Sequence, residues 1–167
     1  MHEAIDWPLD ENVIRRGLEN HTFGMVRNHG RRAHQGWDFY AEPGTPCFAI
    51  ADGVVVKVRN TGAYGLQAIV RFDHRLDGRE RQLFAFYAHL SRVDVKEGQA
   101  ISRGQRVGLT GNSGNASSMR GRDQHLHFEI RTVPIAGLGL GNRMSPLRVF
   151  GHCPLREPVH RKAANDA

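Results

Sequence analysis

Five residues of this chain have the types and spacing to do chemistry together. His125 and His127 sit two apart in the stretch Gln124-His125-Leu126-His127-Phe128-Glu129-Ile130. A strand sends alternate side chains to opposite faces, so both imidazoles project from one face. Leu126, Phe128 and Ile130 project from the other and anchor the strand in a core. His34 and Asp38 lie four apart around Gly36, whose missing side chain lets the backbone bend closely. His89 ends the alternating stretch Leu83 to Leu90. Strict alternation there puts Phe84, Phe86, Ala88 and Leu90 on one face, and Leu83, Ala85, Tyr87 and His89 on the other. Zinc takes histidine nitrogen and aspartate oxygen in tetrahedral geometry, and a catalytic site uses three protein ligands and keeps a fourth position open. His34, Asp38 and one of His125 and His127 would make such a set, and the spacing does not decide which. The remaining two of His89, His125 and His127 suit proton transfer or oxyanion stabilisation, since imidazole titrates near neutral pH. The helical His-Glu-x-x-His motif is absent, which excludes that class of zinc protease.

The elements that must position these residues read as short strands. Pro43-Gly44-Thr45-Pro46 is a turn, Asp52-Gly53 predicts a hairpin between Cys47–Ile50 and Val54–Val58, and Asp77-Gly78 predicts another before Leu83. Glu11 to Glu19 reads as a short helical turn, and Ser145 to Phe150 as a closing one. Strands at roughly eight- to twelve-residue spacing predict a mainly β fold, antiparallel and sandwich- or barrel-like, with few short helices. The expected organisation is an N-terminal approach segment, 1–22, one domain, 23–150, and a C-terminal tail, 151–167, frayed from residue 158. A long polar loop, Gly111 to Gln124, carries Arg120, Arg122 and Asp123.

Charge and composition narrow the function classes. The chain has 167 residues and a formal net charge of +6, with 20 Arg against 3 Lys. That balance suits an anionic partner. The arginines are scattered and no nucleic-acid motif stands out, so nucleic acid is not the expected partner. No apolar run reaches the length of a membrane span. The first seven residues lack the basic start and apolar stretch of a secretory signal. The two cysteines, Cys47 and Cys153, form no Cys-x-x-Cys, and a disulfide between them is left open.

The set His34-Gln35-Gly36-Trp37-Asp38, then Tyr87-Ala88-His89-Leu90-Ser91, then His125-Leu126-His127-Phe128-Glu129 resembles the lysostaphin/LytM-type peptidoglycan metallopeptidases. Pro43-Gly44-Thr45-Pro46, Ala51-Asp52-Gly53-Val54-Val55, Val95-Lys96-Glu97-Gly98-Gln99 and Gly104-Gln105-Arg106-Val107-Gly108 are similar to that family's pattern too. The resemblance covers about residues 23–131. It implies antiparallel sheets around a narrow groove with one zinc ion on its floor. By that resemblance His34, Asp38 and His127 are the metal ligands and His89 and His125 the catalytic pair. It implies an endopeptidase cutting stems or cross-links of bacterial peptidoglycan, in the periplasm or extracellular cell wall. The alternative is a non-catalytic module that binds wall or regulates other hydrolases. A monomer is expected. A wall-cutting toxin delivered into rival bacteria, with an immunity protein as partner, is one expectation for export without a signal.

Some relatives carry a tyrosine six residues before the first ligand, where this chain has Asn28, and His29 is read as a loop histidine. Glu129 shares the face of His125 and His127 and is read as structural rather than as an imidazole's partner. Trp37 is expected to pack beneath the ligands. His2, His21, His74, His152 and His160 are read as surface or packing residues, and the 111–124 loop as lying beside the groove.

Overall fold

Alternation and turn chemistry build most of the strand residues into one antiparallel sheet. The structure is a computed structural model in which residues 5–162 are described; His2 lies outside them. In chain order the strands are β1 (Glu11–Asn12), β2 (Gly24–Arg27), β3 (Arg32–His34), β4 (Trp37–Tyr40), β5 (Pro46–Phe48), β6 (Gly53–Thr61), β7 (Gly65–Leu76), β8 (Arg79–Val93), β9 (Ala100–Ile101), β10 (Arg106–Thr110), β11 (His125–Arg131), β12 (Arg143–Met144) and β13 (Val159–His160). The helical content is short 3₁₀ turns and one α-helical turn, α1 (Leu147–Phe150). The mainly β, antiparallel expectation is met.

Nine strands form the main sheet, in the order β12-β11-β8-β7-β6-β9, with β4 also beside β11, β10 beside β8 and β5 beside β10. The Asp77-Gly78 hairpin forms as expected between β7 and β8, both residues having the positive φ (52° and 77°) that a tight hairpin turn requires. The Asp52-Gly53 hairpin does not form. β5 pairs with β10, while β6 pairs with β7 and β9. The Asp52 carboxylate accepts the backbone N–H of Arg103 at 2.8 Å, tying this turn to the β9–β10 connection instead.

One face of the sheet covers the core. Trp37, Phe39, Leu83, Tyr87, Leu126 and Phe128 are buried there. Trp37 stacks on Phe150 at 5.9 Å, beneath the layer that carries Asp38, as expected. Burying side chains of this size is the main favourable term in folding, at roughly 25 cal/mol per Å² of apolar surface. The C-terminal tail does not fray at 158. Val159 and His160 pair with Asn12 and Glu11, the Asn12 side-chain amide donates to the Val159 carbonyl at 3.0 Å, and Arg161 pairs with Asp10 at 2.8 Å. Cys47 and Cys153 are both free thiols. Burial pushes the Cys47 thiol up to about 12, so it behaves as a small packing residue.

Candidate metal centre and catalytic groove

Strand register brings the predicted residues together. In β11·β4, His127 lies directly opposite Asp38. His34 ends β3, and the chain turns through Gln35-Gly36 into β4. That turn depends on Gly36: a Cβ there would collide with the Phe128 carbonyl of β11. The result is a buried trio. Ligating atoms of His34, Asp38 and His127 all lie within 4.8 Å of one another. Asp38 Oδ1 stands 3.2 Å from His34 Nε2 and 2.8 Å from His127 Nδ1.

Each imidazole is held by its other nitrogen. His34 Nδ1 donates to the Thr22 carbonyl at 2.8 Å, which leaves the Nε2 lone pair facing Asp38. His89 Nδ1 donates to the Ser113 carbonyl and His125 Nδ1 to the Asp123 carbonyl, each at 2.8 Å. A carbonyl only accepts, so both rings are fixed as the tautomer with a free Nε2. The 111–124 loop therefore supplies the hydrogen-bond partner of both histidines, one from each end. Asn115 and Met119 of the same loop line the groove.

His89 reaches the site by a route that alternation does not predict. In β7·β8, Leu66 pairs with Leu90 but Ala68 pairs with Tyr87, so Ala88 and His89 together oppose Gln67. His89 takes the left-handed conformation, with φ 59°. This β-bulge resets the alternation. Ala88 stays on the face of His127, its register partner, and Leu90 enters the core with Tyr87. His89 turns away from Tyr87's face, and its ring lies 5.1 Å from that of His125 at 79°. A bulge that re-aims a side chain beside a functional site is a recurring device.

Glu129 also departs from its expected role. It is fully buried, and its Oε2 accepts from His127 Nε2 at 2.7 Å while Oε1 accepts from Arg131 at 2.7 Å and Arg143 at 2.6 Å. It is thus both a structural ion-pair hub and the group that orients the His127 ring. Such partners of ligand-type histidines fix ring direction and basicity. His21 is likewise not a surface residue. It is buried, with Nδ1 3.4 Å from Asp38 Oδ2. Arg27 Nη2 and Arg15 Nη1 approach the same oxygen at 3.1 and 3.4 Å. His152 and His160 are exposed, as expected, and His74 packs beside Phe72. Asn28 and His29 sit at the exposed tip of the β2–β3 turn with φ 52° and 56°, and neither lines the groove.

Tyr64 was not legible from the sequence. Its ring stacks on His127 at 5.3 Å and 17°, and its hydroxyl accepts from the Gln35 side chain. Gln35 in turn accepts from Gly139 N–H at 2.5 Å, which draws the glycine-rich segment after β11 to the groove edge. The available signal was weak: an aromatic residue between Gly62 and Gly65, in a turn between two strands.

The electrostatics follow from burial and partners. Burial alone would raise the Asp38 carboxyl, but His125, His127, His21 and His34 around it hold it well below the usual range. Burial lowers His34 and His125, and takes His89, with His127 and His125 nearby, down to about 4. These three imidazoles are neutral at pH 7. His127 behaves oppositely. Burial opposes its charge, yet hydrogen bonds to Asp38 and Glu129 raise it to about 9. The metal-free protein therefore holds a proton between two carboxylates.

The trio fits a zinc ion by the chemistry of its donors: two imidazole nitrogens and one carboxylate oxygen, buried and convergent. A metal taking His127 Nδ1 must displace the trapped proton, because ligands bind deprotonated. Zinc uptake at pH 7 is expected to release about one proton per ion from His127. Calorimetry in buffers of different ionisation enthalpy checks this, and buffer-independent heat would contradict it. The sign for stability follows from the same shift. With a folded pKa of about 9 against an ordinary 6.5, the metal-free protein gains stability that is full below pH 6.5 and lost as pH rises through 9.

The trio forms the floor of a groove of about 400 Å³ that His89 and His125 also line. The profile of peptidase family M23 matches residues 32–144, and the chain belongs to that family. Among curated proteins it is 39% identical over 97 residues to the peptidoglycan DD-endopeptidase ShyA of Vibrio cholerae, covering 58% of this chain and 20% of that one. It is 36% identical over 121 residues to the glycyl-glycine endopeptidase ALE-1 of Staphylococcus capitis, covering 72% and 30%. The chain thus spans about a fifth to a third of these relatives' length. Among solved structures, the catalytic domain of lysostaphin from Staphylococcus simulans aligns with a TM-score of 0.57 at 26% identity, over 78% of this chain and 87% of that one. A mutant catalytic domain of the prophage-encoded M23 protein EnpA from Enterococcus faecalis aligns at 0.59 and 28%, over 75% and 85%.

Proposed function

We propose that the chain is a zinc-dependent endopeptidase that hydrolyses peptide cross-links or stems of bacterial peptidoglycan, acting in the periplasm or cell wall. The observation that carries this reading is the convergence of His34, Asp38 and His127 within 4.8 Å, beside two histidines whose Nε2 atoms are free. A zinc ion held by His34, Asp38 and His127 would supply Lewis acidity, lowering the pKa of a water and polarising a carbonyl. The rest is done by the chain. His89 and His125 are neutral, so either can accept the proton of the attacking water at Nε2. The histidine that takes that proton becomes an Nε2–H donor: it can hydrogen-bond the developing oxyanion and then pass the proton on to the leaving amine, while the other ring, still an acceptor at Nε2, orients the water. Asp38 stays ionised in the company of four histidines and two arginines. Tyr64 and Glu129 keep the His127 ring in place from its flat face and its far nitrogen.

The non-catalytic alternative calls for a damaged ligand or histidine set, and all five residues are intact. Digestion of purified walls separates the two readings. Walls with direct cross-links and walls with glycine bridges are incubated with the zinc-loaded chain, and the product masses are read. Hydrolysis of at least one is expected. Stoichiometric zinc with neither wall cut would overturn the enzyme reading.

A further inference from the structure

The charged residues lining the groove are mostly of one sign. They include the guanidiniums of Arg15, Arg27 and Arg32, beside neutral residues such as Ala63, Tyr64, Asn115 and Leu138. Among the described residues Asp38 is the only acid lining the groove, and it is 1% exposed and already surrounded by histidines and by Arg15 and Arg27. Arg27 and Arg32 are register partners across β2·β3, so two like charges face each other on adjacent strands. Such a placement is unfavourable unless an anion offsets it; Asp38 does so for Arg27, at 3.1 Å. Arg32 is exposed and has no acidic partner among the described residues. Arg27 commits Nε to the Asn20 carbonyl at 2.8 Å and Nη2 to Asp38, which leaves Nη1 without an acceptor among the described residues. An ion on the trio would add further positive charge to the same end of the groove.

We propose that the substrate bears a free carboxylate close to the scissile bond, and that Arg32, with Arg27 beside it, receives that carboxylate. The planar guanidinium fork matches a carboxylate in two-point geometry, which an ammonium does not. The inference rests on the endopeptidase reading of the groove and deepens it by naming the substrate class. A glycine bridge carries no side-chain carboxylate. A direct cross-link through a residue that keeps a free carboxyl group does. Arg32 thus acts as a specificity residue that prefers the second chemistry.

The test uses two synthetic cross-linked peptides, identical except that one carries the carboxylate and the other its carboxamide. Binding to the zinc-loaded chain and cleavage are measured separately, for the parent chain, Arg32→Gln and Arg32→Lys. The carboxylate peptide is expected to bind at least about tenfold more tightly, the size of one charge-assisted contact. Arg32→Gln should abolish that preference by raising KM for the carboxylate peptide to that for the carboxamide. Arg32→Lys should restore only part of it, and added salt should compress it. Equal binding of the two peptides, or a preference that survives Arg32→Gln, overturns the inference. Selective binding of the carboxylate with no cleavage of either peptide upholds the anion site and overturns the endopeptidase reading instead.

Discussion

Alanine at His89 is expected to lower wall hydrolysis by about 10²- to 10⁴-fold while zinc still binds one to one. Alanine at His127 is expected to lose both. The two rings are neighbours, 6.1 Å apart, and both are buried, so proximity to the trio does not distinguish them. Their bonding does. His89 Nδ1 is spent on the Ser113 carbonyl, and its Nε2 makes no bond to any member of the trio. His127 Nδ1 stands 2.8 Å from Asp38 Oδ1, inside the donor set. Metal content by atomic absorption and product release from labelled walls, measured on the same preparations, give the two readouts. Near-parental hydrolysis by His89→Ala, or loss of its zinc, would contradict the assigned roles. The melting temperature of each variant shows whether a loss reflects unfolding.

The second large effect is on stability. Glu129→Ala is expected to cost about 3–5 kcal/mol, the usual penalty for removing one partner from a buried ion pair. The Arg131 and Arg143 side chains are each 1% exposed and both converge on Glu129 Oε1. Their charge would be left in the interior, and His127 Nε2 would lose its acceptor. Arg131 also lies 3.7 Å over the Phe86 ring, so it is not free to swing into water. Urea unfolding of the metal-free protein reads the loss. Glu129→Gln keeps the shape and one acceptor and should fall between the two. A Glu129→Ala protein as stable as the parent would show that the arginines find other partners.

Much of the site was legible in the sequence because its spacing follows strand geometry. His125, His127 and the core-facing Leu126 and Phe128 obey a period of two, and the structure keeps that period throughout β11. Gly36 was legible because a close backbone approach has only one side chain that permits it. The failures have equally specific causes. The face of His89 was misplaced because one extra residue in β8 shifts the alternation, and nothing in the local composition marks a bulge whose left-handed residue is not glycine. Asp52-Gly53 has the composition of a hairpin, but pairing partners are set by the whole sheet, and β5 found β10. Arg15 and Tyr64 come from segments well removed from the motifs, and His21 and Arg27, although they precede His34 by only 13 and seven residues, are brought in by turns; neither route leaves a periodic trace. Glu129 carried the right parity, yet parity says nothing about the two arginines that made it a hub.

The bulge at His89 has one more consequence. Catalytic sites are usually thought of as vulnerable to a change of residue type. Here the proposed chemistry depends equally on a residue count. Deleting one residue between Tyr87 and Leu90 would let β8 run straight past β7, with each remaining side chain still suited to a strand. If the residue removed is His89, Ala88 alone opposes Gln67 and the groove loses its histidine although the His34-Asp38-His127 trio, the sheet and the core stay whole. If it is Ala88, His89 takes that place on the face of His127 without the left-handed conformation it now has beside His125. In a lineage of such domains, an inactive wall-binding member could arise by a single three-nucleotide deletion that leaves every ligand in place.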